Sequence, residues 1–251
     1  MDILQLSPPT ADARLPYGSD PLQFGDLRLP KGEGRHPVVI VIHGGFWRAA
    51  YSLDHIGHLC AALTAAGLAS WNLEYRRIGN DGGGWPGTFE DVLRGARYVV
   101  ALAKKYPVDA ERTIAVGHSA GGHLALLLAA RQRVRGVVSL AGVADLRRAW
   151  ELGLSNKVVA SFLGGSPEEV PDRYREASPL ELLPLSVRQR LVHGAKDDVV
   201  PYEISANYAK AAKAAGDDAA LVTLPEAGHF ELIDPRSAEW PHIQESILSL
   251  V

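Results

Sequence analysis

The stretch TIAVGHSAGGHLALLLAAR, residues 113–131, decides the fold. Its first four residues have the β-branched character of a short strand, and residues 120–131 have the apolar spacing of a helix. Between them lies GHSAG, whose two glycines leave room for a sharp turn around Ser119. Such a turn strains the serine backbone and lifts its hydroxyl clear of the sheet at the start of a helix. The pattern predicts that Ser119 is a nucleophile, and an ordinary strand-to-helix turn is the alternative.

Strand and helix patterns alternate on both sides of this turn. VVIVI, residues 38–42, is a continuous β-branched run, so both faces of that strand should be buried in a mostly parallel sheet. Further strands are predicted at residues 22–29 (an edge strand or hairpin arm), 68–75, 134–140, 191–193 and 219–224. Further helices are predicted at residues 52–66, 88–105 (with Thr88 as N-cap), 202–215 and 237–250. This order predicts a single α/β domain, residues 1–251, with helices on both faces of the sheet.

Residues 145–188 break this rhythm with polar, proline-containing and irregularly helical sequence. The segment joins a strand predicted to end near Leu140 to one predicted to start near Leu191. It therefore leaves the carboxyl edge of the sheet, where folds of this class bind ligands. Connections in such folds usually take about two to six residues. We predict that residues 145–188 form a small lid or cap over a site at that edge.

The composition is that of an ordinary globular protein and excludes several function classes. Of 251 residues, 47% are hydrophobic and 22% are charged, with a formal net charge of −3. This balance gives no general attraction to nucleic acid, and no apolar run reaches the roughly 18 residues of a membrane helix. Cys60 is the only cysteine, so an intrachain disulfide and a cysteine zinc cluster are excluded. Together with an amino terminus that lacks a secretory pattern, this favours the cytoplasm.

A serine nucleophile needs a base, and the base needs a carboxylate that orients it. His229 directly follows the last predicted strand, so it opens at the carboxyl edge of the sheet and is the predicted base. The carboxylate is expected just after the preceding strand, where HGAKDDVVP, residues 193–201, supplies Asp197 and Asp198. We choose Asp197, although either aspartate would also serve as the cap of the next helix. The other histidines after the serine are predicted to hold structural positions: His123, His193 and His242.

HGGFW, residues 43–47, follows the first buried strand and is the predicted oxyanion loop. Successive glycines let backbone N–H groups approach a substrate oxygen closely. The predicted donors are the amides of Gly45 and Phe46, with that of Ala120 at the start of the helix after Ser119. A tight turn leaving the strand is the alternative for this loop. Two aromatic residues are predicted to line the substrate pocket, Trp47 and Phe230.

These motifs together resemble the α/β-hydrolase superfamily over nearly the whole chain, from about Leu22 onward. HGGFW and GHSAGGHLA are similar to the branch that holds hormone-sensitive-lipase-like esterases, acetyl and feruloyl esterases and kynurenine formamidases. The resemblance implies the hydrolase elbow at Ser119 and the order Ser, Asp, His along the chain. HGAKDDVVP resembles an acid loop whose first aspartate is catalytic, which implies Asp197. Phe46 replaces a glycine of the lipase-like pattern, which favours the small-esterase or formamidase subgroup.

The combined expectation is a serine hydrolase that cleaves small carboxylic esters through Ser119, Asp197 and His229. An arylformamidase acting on N-formylkynurenine-like amides is the first alternative. A prolyl-oligopeptidase-type peptidase and a non-catalytic ligand receptor rank below it. His55 and His58 lack a third ligand, so no metal and no cofactor are expected. The expected partner is a small-molecule ester or amide rather than nucleic acid or membrane, and the sequence leaves a homodimer open.

Overall fold

The centre of the fold is an eight-stranded sheet, seen in a computed structural model that describes residues 3–251. The strands in chain order are β1 (Ala13–Pro16), β2 (Phe24–Arg28), β3 (His36–Ile42), β4 (Ala69–Leu73), β5 (Val108–His118), β6 (Gly136–Leu140), β7 (Arg188–Gly194) and β8 (Ala219–Leu224). They lie side by side in the order β1-β2-β4-β3-β5-β6-β7-β8. The β1–β2 and β2–β4 pairs are antiparallel, and the other pairs are parallel. This topology confirms the predicted mostly parallel α/β sheet.

Strand β3 shows how one sequence run fills the core on both sides of the sheet. Val38, Ile40 and Ile42 pack into the hydrophobic cluster on one face. Val39 and Val41 pack into the cluster on the other face. Successive side chains of a strand point to opposite faces, so an unbroken apolar run is what a doubly covered strand requires. The prediction that both faces of this strand are buried is confirmed.

Helices cover both faces of the sheet. In chain order they are α1 (Gly57–Ala65), α2 (Gly87–Arg97), α3 (Val99–Leu102), α4 (Ala120–Arg131), α5 (Leu146–Glu151), α6 (Leu154–Leu163), α7 (Pro171–Ala177), α8 (Tyr202–Ala214) and α9 (Trp240–Leu248). Buried side chains of α1 and α9 belong to one cluster, and those of α2, α4 and α8 belong to the other. Among residues 3–251, no helix combines the length and the hydropathy that crossing a lipid bilayer demands.

Residues 145–188 contain α5, α6 and α7 and pack over the carboxyl edge of the sheet. The ring of Phe162 stacks on that of Trp47, in the loop after β3, with centroids 4.7 Å apart. Arg48 of the same loop donates a hydrogen bond to the carbonyl oxygen of Ser155 at 2.7 Å. The first turn of α6 is left-handed, with φ of 45° to 58° over residues 155–157. The insertion therefore touches loops on the ligand-binding side, and its action as a lid stays a prediction.

The helix predicted at residues 88–105 differs from the observed one. It begins at Gly87, and a break at Tyr98 separates α2 from the short α3. The Thr88 side chain is not an N-cap, because its hydroxyl donates to the carbonyl oxygen of Arg76 at 2.6 Å. Asp91 accepts two hydrogen bonds from the Arg76 guanidinium, at 2.7 and 2.8 Å. The N-cap prediction was wrong because Thr88 and Asp91 both bind a residue from the preceding loop.

The amino-terminal stretch predicted as an edge strand or hairpin arm forms β2. It is not the outermost strand, because β1 pairs with it as the other arm of a hairpin. β1 has only four residues, and Arg14 and Pro16 on its outer side are exposed. So short a strand carries no recognisable alternation, which is why its sequence did not predict it.

Candidate active site

The turn at Ser119 has the strained geometry that its flanking glycines permit. Ser119 has φ 56° and ψ −120°, a conformation that residues with a Cβ rarely adopt. A Cβ at Gly117 would lie 2.0 Å from the carbonyl oxygen of Gly121, and one at Gly121 would lie 2.0 Å from that of Ile42. The Ser119 amide donates to the carbonyl oxygen of Leu140 at 2.8 Å. The serine is therefore fixed at the start of α4, between the ends of β5 and β6.

Asp197 and His229 are in direct contact although 32 residues separate them in the chain. His229 Nδ1 donates to Asp197 Oδ2 at 2.7 Å, and both side chains are almost fully buried. Asp197 Oδ1 accepts hydrogen bonds from the amides of Val199 and Val200, at 2.9 and 2.8 Å. The neighbouring Asp198 is exposed. The structure thus joins to His229 the aspartate that we chose from the sequence.

Hydrogen bonds keep the Asp197 carboxyl ionised in spite of its burial. Burial alone would raise its pKa, but hydrogen bonds from His193 and His229 outweigh this and hold the pKa of Asp197 well below its ordinary value. His193 Nε2 lies 3.3 Å from Asp197 Oδ2 and donates to the carbonyl oxygen of Val200 at 2.9 Å. Its Nδ1 lies 2.7 Å from the Ser205 hydroxyl. An ionised carboxylate at this place accepts the hydrogen bond from His229 Nδ1 and fixes the orientation of its ring.

His118, the residue before Ser119, contacts the predicted base, His229. His118 Nε2 donates to the main-chain carbonyl oxygen of His229 at 3.0 Å, and the two imidazole centroids are 4.4 Å apart. Within residues 3–251, no hydrogen bond joins the Ser119 hydroxyl to the His229 ring. Hydrogen bonds between nucleophile and base commonly tighten only when substrate binds.

The loop after β3 brings free backbone amides to the side of Ser119. Its residues 45–47 have positive φ values of 105°, 50° and 56°. A Cβ on Gly44 would lie 3.1 Å from the Ser119 Cβ, so the loop backbone passes directly beside the nucleophile. The three amides that we predicted as oxyanion donors make no hydrogen bond within residues 3–251: Gly45, Phe46 and Ala120. The geometry is therefore compatible with their donating to a substrate oxygen.

A buried polar cluster packs against the loop after β3. His43 Nδ1 lies 2.8 Å from the carbonyl oxygen of Gly44, and its Nε2 lies 3.1 Å from Glu74 Oε1. Arg77 also pairs with Glu74 Oε1, at 2.8 Å. The ring of Tyr75 stacks on His43, and its hydroxyl donates to the His43 carbonyl oxygen at 2.7 Å. These bonds fix the direction of the peptide groups that precede the predicted oxyanion donors.

The two aromatic residues predicted to line the pocket differ in exposure. Trp47 has no exposed surface. It stacks on Phe162, and its Nε1 donates to His123 Nδ1 at 3.2 Å, so it packs between the loop and the insertion rather than on an open wall. Phe230 stays partly exposed, with its ring edge-on to His229 at 5.1 Å. Substrate contact by either residue stays a prediction.

A cleft of about 510 Å³ opens beside His229. Most of its lining is charged or polar, and consists of Lys196, Asp198, Glu226, Gly228, His229, Phe230 and Glu231. Lys196 and Glu226 form an ion pair at its rim. A second cleft, of about 570 Å³, lies at the opposite edge of the sheet near Thr113 and Arg135 and contains none of the groups described above. Only the first of these two clefts adjoins the Asp197–His229 pair.

The histidines of the first helical segment do not converge on one point. His55 Nε2 lies 2.9 Å from His118 Nδ1, whereas His58 Nε2 lies 3.3 Å from the carbonyl oxygen of Leu6. Residues 3–251 contain no group of three or more His, Cys, Asp or Glu side chains placed to hold a metal ion. Cys60 is fully buried, and burial raises the pKa of its thiol to about 12. Its thiol is thus neutral and shielded, as expected of a core residue.

A family model described as BD-FAE matches residues 26–211 of the chain. The chain belongs to the BD-FAE family. The match runs from within β2 to within α8, so it includes Ser119 and Asp197 and ends before His229. Membership confirms the predicted resemblance to α/β-hydrolases of the esterase branch.

Curated relatives of this BD-FAE chain include two proteins named as esterases. The chain is 26% identical to esterase LipC of Mycobacterium tuberculosis, over 88% of this chain and 60% of that protein. It is 26% identical to the isoprenylcysteine α-carbonyl methylesterase ICME of Arabidopsis thaliana, over 94% of this chain and 60% of that protein. The chain thus spans about 60% of the length of these relatives.

Solved structures share the fold of this BD-FAE chain over almost its whole length. A truncated carbohydrate esterase from gut microbiota has a TM-score of 0.81 at 24% identity, covering 98% of this chain and 99% of that one. Esterase B from Lactobacillus rhamnosis has a TM-score of 0.82 at 20% identity, covering 96% and 86%. At such identities the likeness shows the fold alone, and it confirms the predicted α/β-hydrolase fold.

The sequence pointed to the triad candidates but missed the polar residues that support them. His43, Glu74 and His118 were not assigned a role, yet each is buried and hydrogen-bonded to a site loop. A signal for them was available, because each stands at or just after the carboxyl end of an apolar strand. A polar side chain there is buried at the ligand-binding edge of the sheet, where it needs a partner.

Proposed function

We propose that this protein is a serine hydrolase that cleaves small carboxylic esters through Ser119, Asp197 and His229. The observation that carries the proposal is the 2.7 Å hydrogen bond from His229 Nδ1 to the buried Asp197 carboxylate, at the sheet edge that holds Ser119. An imidazole held by an ionised carboxylate is the base that a serine nucleophile needs. The esterase names of LipC and ICME support the same chemistry.

In the first half of the reaction, Ser119 Oγ attacks the ester carbonyl carbon while His229 Nε2 accepts the hydroxyl proton. Asp197 orients the imidazole and stabilises its positive charge. The negative charge that develops on the carbonyl oxygen is stabilised by the amides of Gly45, Phe46 and Ala120. When the tetrahedral intermediate collapses, His229 returns the proton to the departing alcohol, and the acyl group stays on Ser119.

In the second half, a water molecule takes the place of the alcohol. His229 accepts a proton from this water as its oxygen attacks the acyl carbon. The same amides stabilise the second oxyanion, and His229 then protonates Ser119 Oγ as the acid leaves. These steps use only groups of this chain and water.

We further propose that residues 145–188 act as the cap that limits substrate size. The segment covers the carboxyl edge and contacts the predicted oxyanion loop through Phe162 and Ser155. In this proposal the ester reaches Ser119 from the cleft beside His229, and the cap limits the size of its acyl or alcohol group.

The alternative of an arylformamidase uses the same three side chains on an N-formyl amide. We propose an ester substrate because LipC and ICME are both named as esterases. Parallel turnover measurements on p-nitrophenyl acetate and N-formylkynurenine separate the two activities. Faster turnover of the formamide would reverse the order of the two proposals.

The decisive experiment is labelling by a fluorophosphonate followed by mass spectrometry of the labelled peptide. The expected label lies on Ser119, and Ser119→Ala should lose labelling together with about 10⁴-fold or more of the turnover of p-nitrophenyl acetate. Ser161→Ala is the matched control, because Ser161 is exposed on α6 and should behave as the wild type. A folded Ser119→Ala variant that retains activity within tenfold of the wild type would exclude the proposed nucleophile.

A further inference from the structure

His118, the residue before Ser119, holds the main chain of the predicted base. Its ring is completely buried, and its Nε2 donates to the carbonyl oxygen of His229 at 3.0 Å. A carbonyl oxygen only accepts, so this nitrogen must carry the proton. Two other hydrogen bonds hold the neighbours of His229: Glu231 accepts from the Gly228 amide, and the Lys196 amide donates to the Ala227 carbonyl oxygen. Within residues 3–251, His118 is the only side chain that hydrogen-bonds the His229 main chain.

His55 completes the hydrogen bonding of the His118 ring. His55 Nε2 lies 2.9 Å from His118 Nδ1, and the two rings stack with centroids 5.2 Å apart. Since His118 donates from Nε2, its Nδ1 in the neutral ring is an acceptor, and His55 is the donor. The hydrogen bonds therefore run in one direction, from His55 to His118 and from His118 to His229.

Burial keeps the imidazole rings of His55 and His118 neutral. Desolvation lowers the pKa of His118 well below its ordinary value, and the nearby His229 and His55 lower it further. Desolvation also lowers the pKa of His55 to about 3, with smaller contributions from His43 and His229. Asp197 is the charged group that opposes this shift at His118. Of the three rings, only that of His229 makes a hydrogen bond to a carboxylate.

We propose that His118 is a positioning residue that holds the His229 loop in place for proton transfer, with His55 fixing the tautomer of His118. The inference rests on the proposed function, because it concerns the same base. His118 makes no hydrogen bond to Asp197, and the hydrogen bond that it makes to His229 goes to the main chain of that residue. A displacement of the base by about 1 Å is enough to cost roughly 100-fold in rate.

The test compares two substitutions of similar size, His118→Leu and His118→Gln. Leucine fills the space but has no donor, whereas glutamine carries an amide N–H on a side chain of comparable reach. His118→Leu should lower kcat for p-nitrophenyl acetate about 10- to 100-fold with little change in KM. His118→Gln should recover activity to within a few-fold of the wild type. Rates of fluorophosphonate labelling should follow kcat, and thermal melts should show that both variants are folded.

A second pair of variants tests whether His55 fixes the tautomer of His118. His55→Phe keeps a ring but removes the donor to His118, and it should lower kcat about threefold to tenfold, the effect of one hydrogen bond. His58→Gln is its control, because His58 faces Leu6 and should leave kcat unchanged.

Different results overturn the inference and the function on which it rests. Folded His118→Leu that reacts as fast as the wild type, or His118→Gln that is as slow as His118→Leu, would show that the donor is irrelevant and would overturn the positioning role alone. A change in KM with constant kcat would also overturn it. Absence of labelling of wild-type Ser119 would instead overturn the proposed function, and the inference with it.

Discussion

Two sets of polar groups lie at opposite ends of the same parallel strands and differ in their exposure. At the carboxyl edge the groups are buried and bonded to one another: His43, Glu74, His118, Asp197 and His229. At the amino edge the ion pairs Arg112–Asp109 and Arg190–Asp218 are partly open to solvent. Exposed pairs contribute about 0–1 kcal/mol, whereas a buried polar group without a partner costs about 1–3 kcal/mol. The five buried groups at the carboxyl edge should therefore tolerate far less change than these two ion pairs at the amino edge.

The largest contrast is expected inside the carboxyl edge, between two adjacent aspartates. Asp197→Asn should lower turnover by about 10³- to 10⁴-fold, because a neutral amide does not stabilise imidazolium and selects the wrong tautomer of His229. Asp198→Asn is the matched control and should change turnover less than tenfold, since Asp198 is exposed. Steady-state turnover of p-nitrophenyl acetate by the two variants measures this difference. A greater loss at Asp198 would mean that the acid has been assigned to the wrong carboxylate.

The next effect concerns the cluster beneath the predicted oxyanion loop. Glu74→Gln removes the partner of His43 and Arg77, and breaking a buried pair in this way costs about 3–5 kcal/mol of unfolding free energy. Urea denaturation at pH 7 measures the loss, and Glu90→Gln on the exposed side of α2 is the control. An unchanged midpoint for Glu74→Gln would show that the buried cluster adds nothing to stability.

The difference in unfolding free energy between the wild type and Glu74→Gln should also depend on pH, and its sign follows from the pKa of Glu74. Burial raises the pKa of Glu74, but hydrogen bonding from His43 and the charge of Arg77 outweigh it and leave the pKa lowered. The stabilisation is therefore complete above the ordinary carboxyl pKa of about 4.3 and is lost as the pH falls through the lowered value. The difference in unfolding free energy between wild type and Glu74→Gln should be largest near neutral pH and should shrink in acid. A difference that grows in acid would contradict the lowered pKa.

A smaller effect is expected where the insertion meets the carboxyl edge. Phe162→Leu keeps an apolar side chain against Trp47 and should cost less than about 1.5 kcal/mol of stability. It should reorder turnover among p-nitrophenyl acetate, butyrate and octanoate while the fluorophosphonate labelling rate of Ser119 stays within twofold. An unchanged order of substrates would remove the support for residues 145–188 as a cap that selects substrate.

The smallest effect is expected at the amino edge. Asp109→Asn removes the partner of Arg112, and such a partly exposed pair is worth about 0.2–1 kcal/mol. Turnover should not change, and the melting temperature should fall by no more than about 3 °C. A loss of activity at this position would contradict the contrast between the two edges.

Features that a short stretch specifies by itself were predictable from the sequence. Residues 120–131 and 219–224 were predicted as a helix and a strand and form α4 and β8 with those bounds. The turn at Ser119 was predictable because Gly117 and Gly121 flank the serine in the sequence, although the backbone that crowds Gly121 belongs to β3. The contact between Asp197 and His229 was predictable from their places directly after strands, since parallel strands bring their carboxyl ends to one edge.

Features that depend on partners distant in the chain were not predictable. Thr88 and Asp91 carry the pattern of a helix start, but Arg76 binds both of them. His118 and His55 are 63 residues apart in the sequence, and their contact exists only because a helical segment packs against the end of β5. A single sequence does not show which distant residues are in contact. The contacts that support the predicted site therefore became visible only in the folded structure.

His229, the predicted base, follows β8, which is one of the two outermost strands of the sheet. β8 pairs only with β7 in the part of the chain that the structure describes, whereas β5, which leads to Ser119, is flanked by β3 and β6. Edge elements open by local fluctuations at lower free energy than central ones. Amide hydrogens of β8 should therefore exchange sooner than those of β5, and mild heating should abolish turnover before the far-ultraviolet circular dichroism changes. We therefore expect the upper working temperature of this protein to depend on β8 rather than on the central strands.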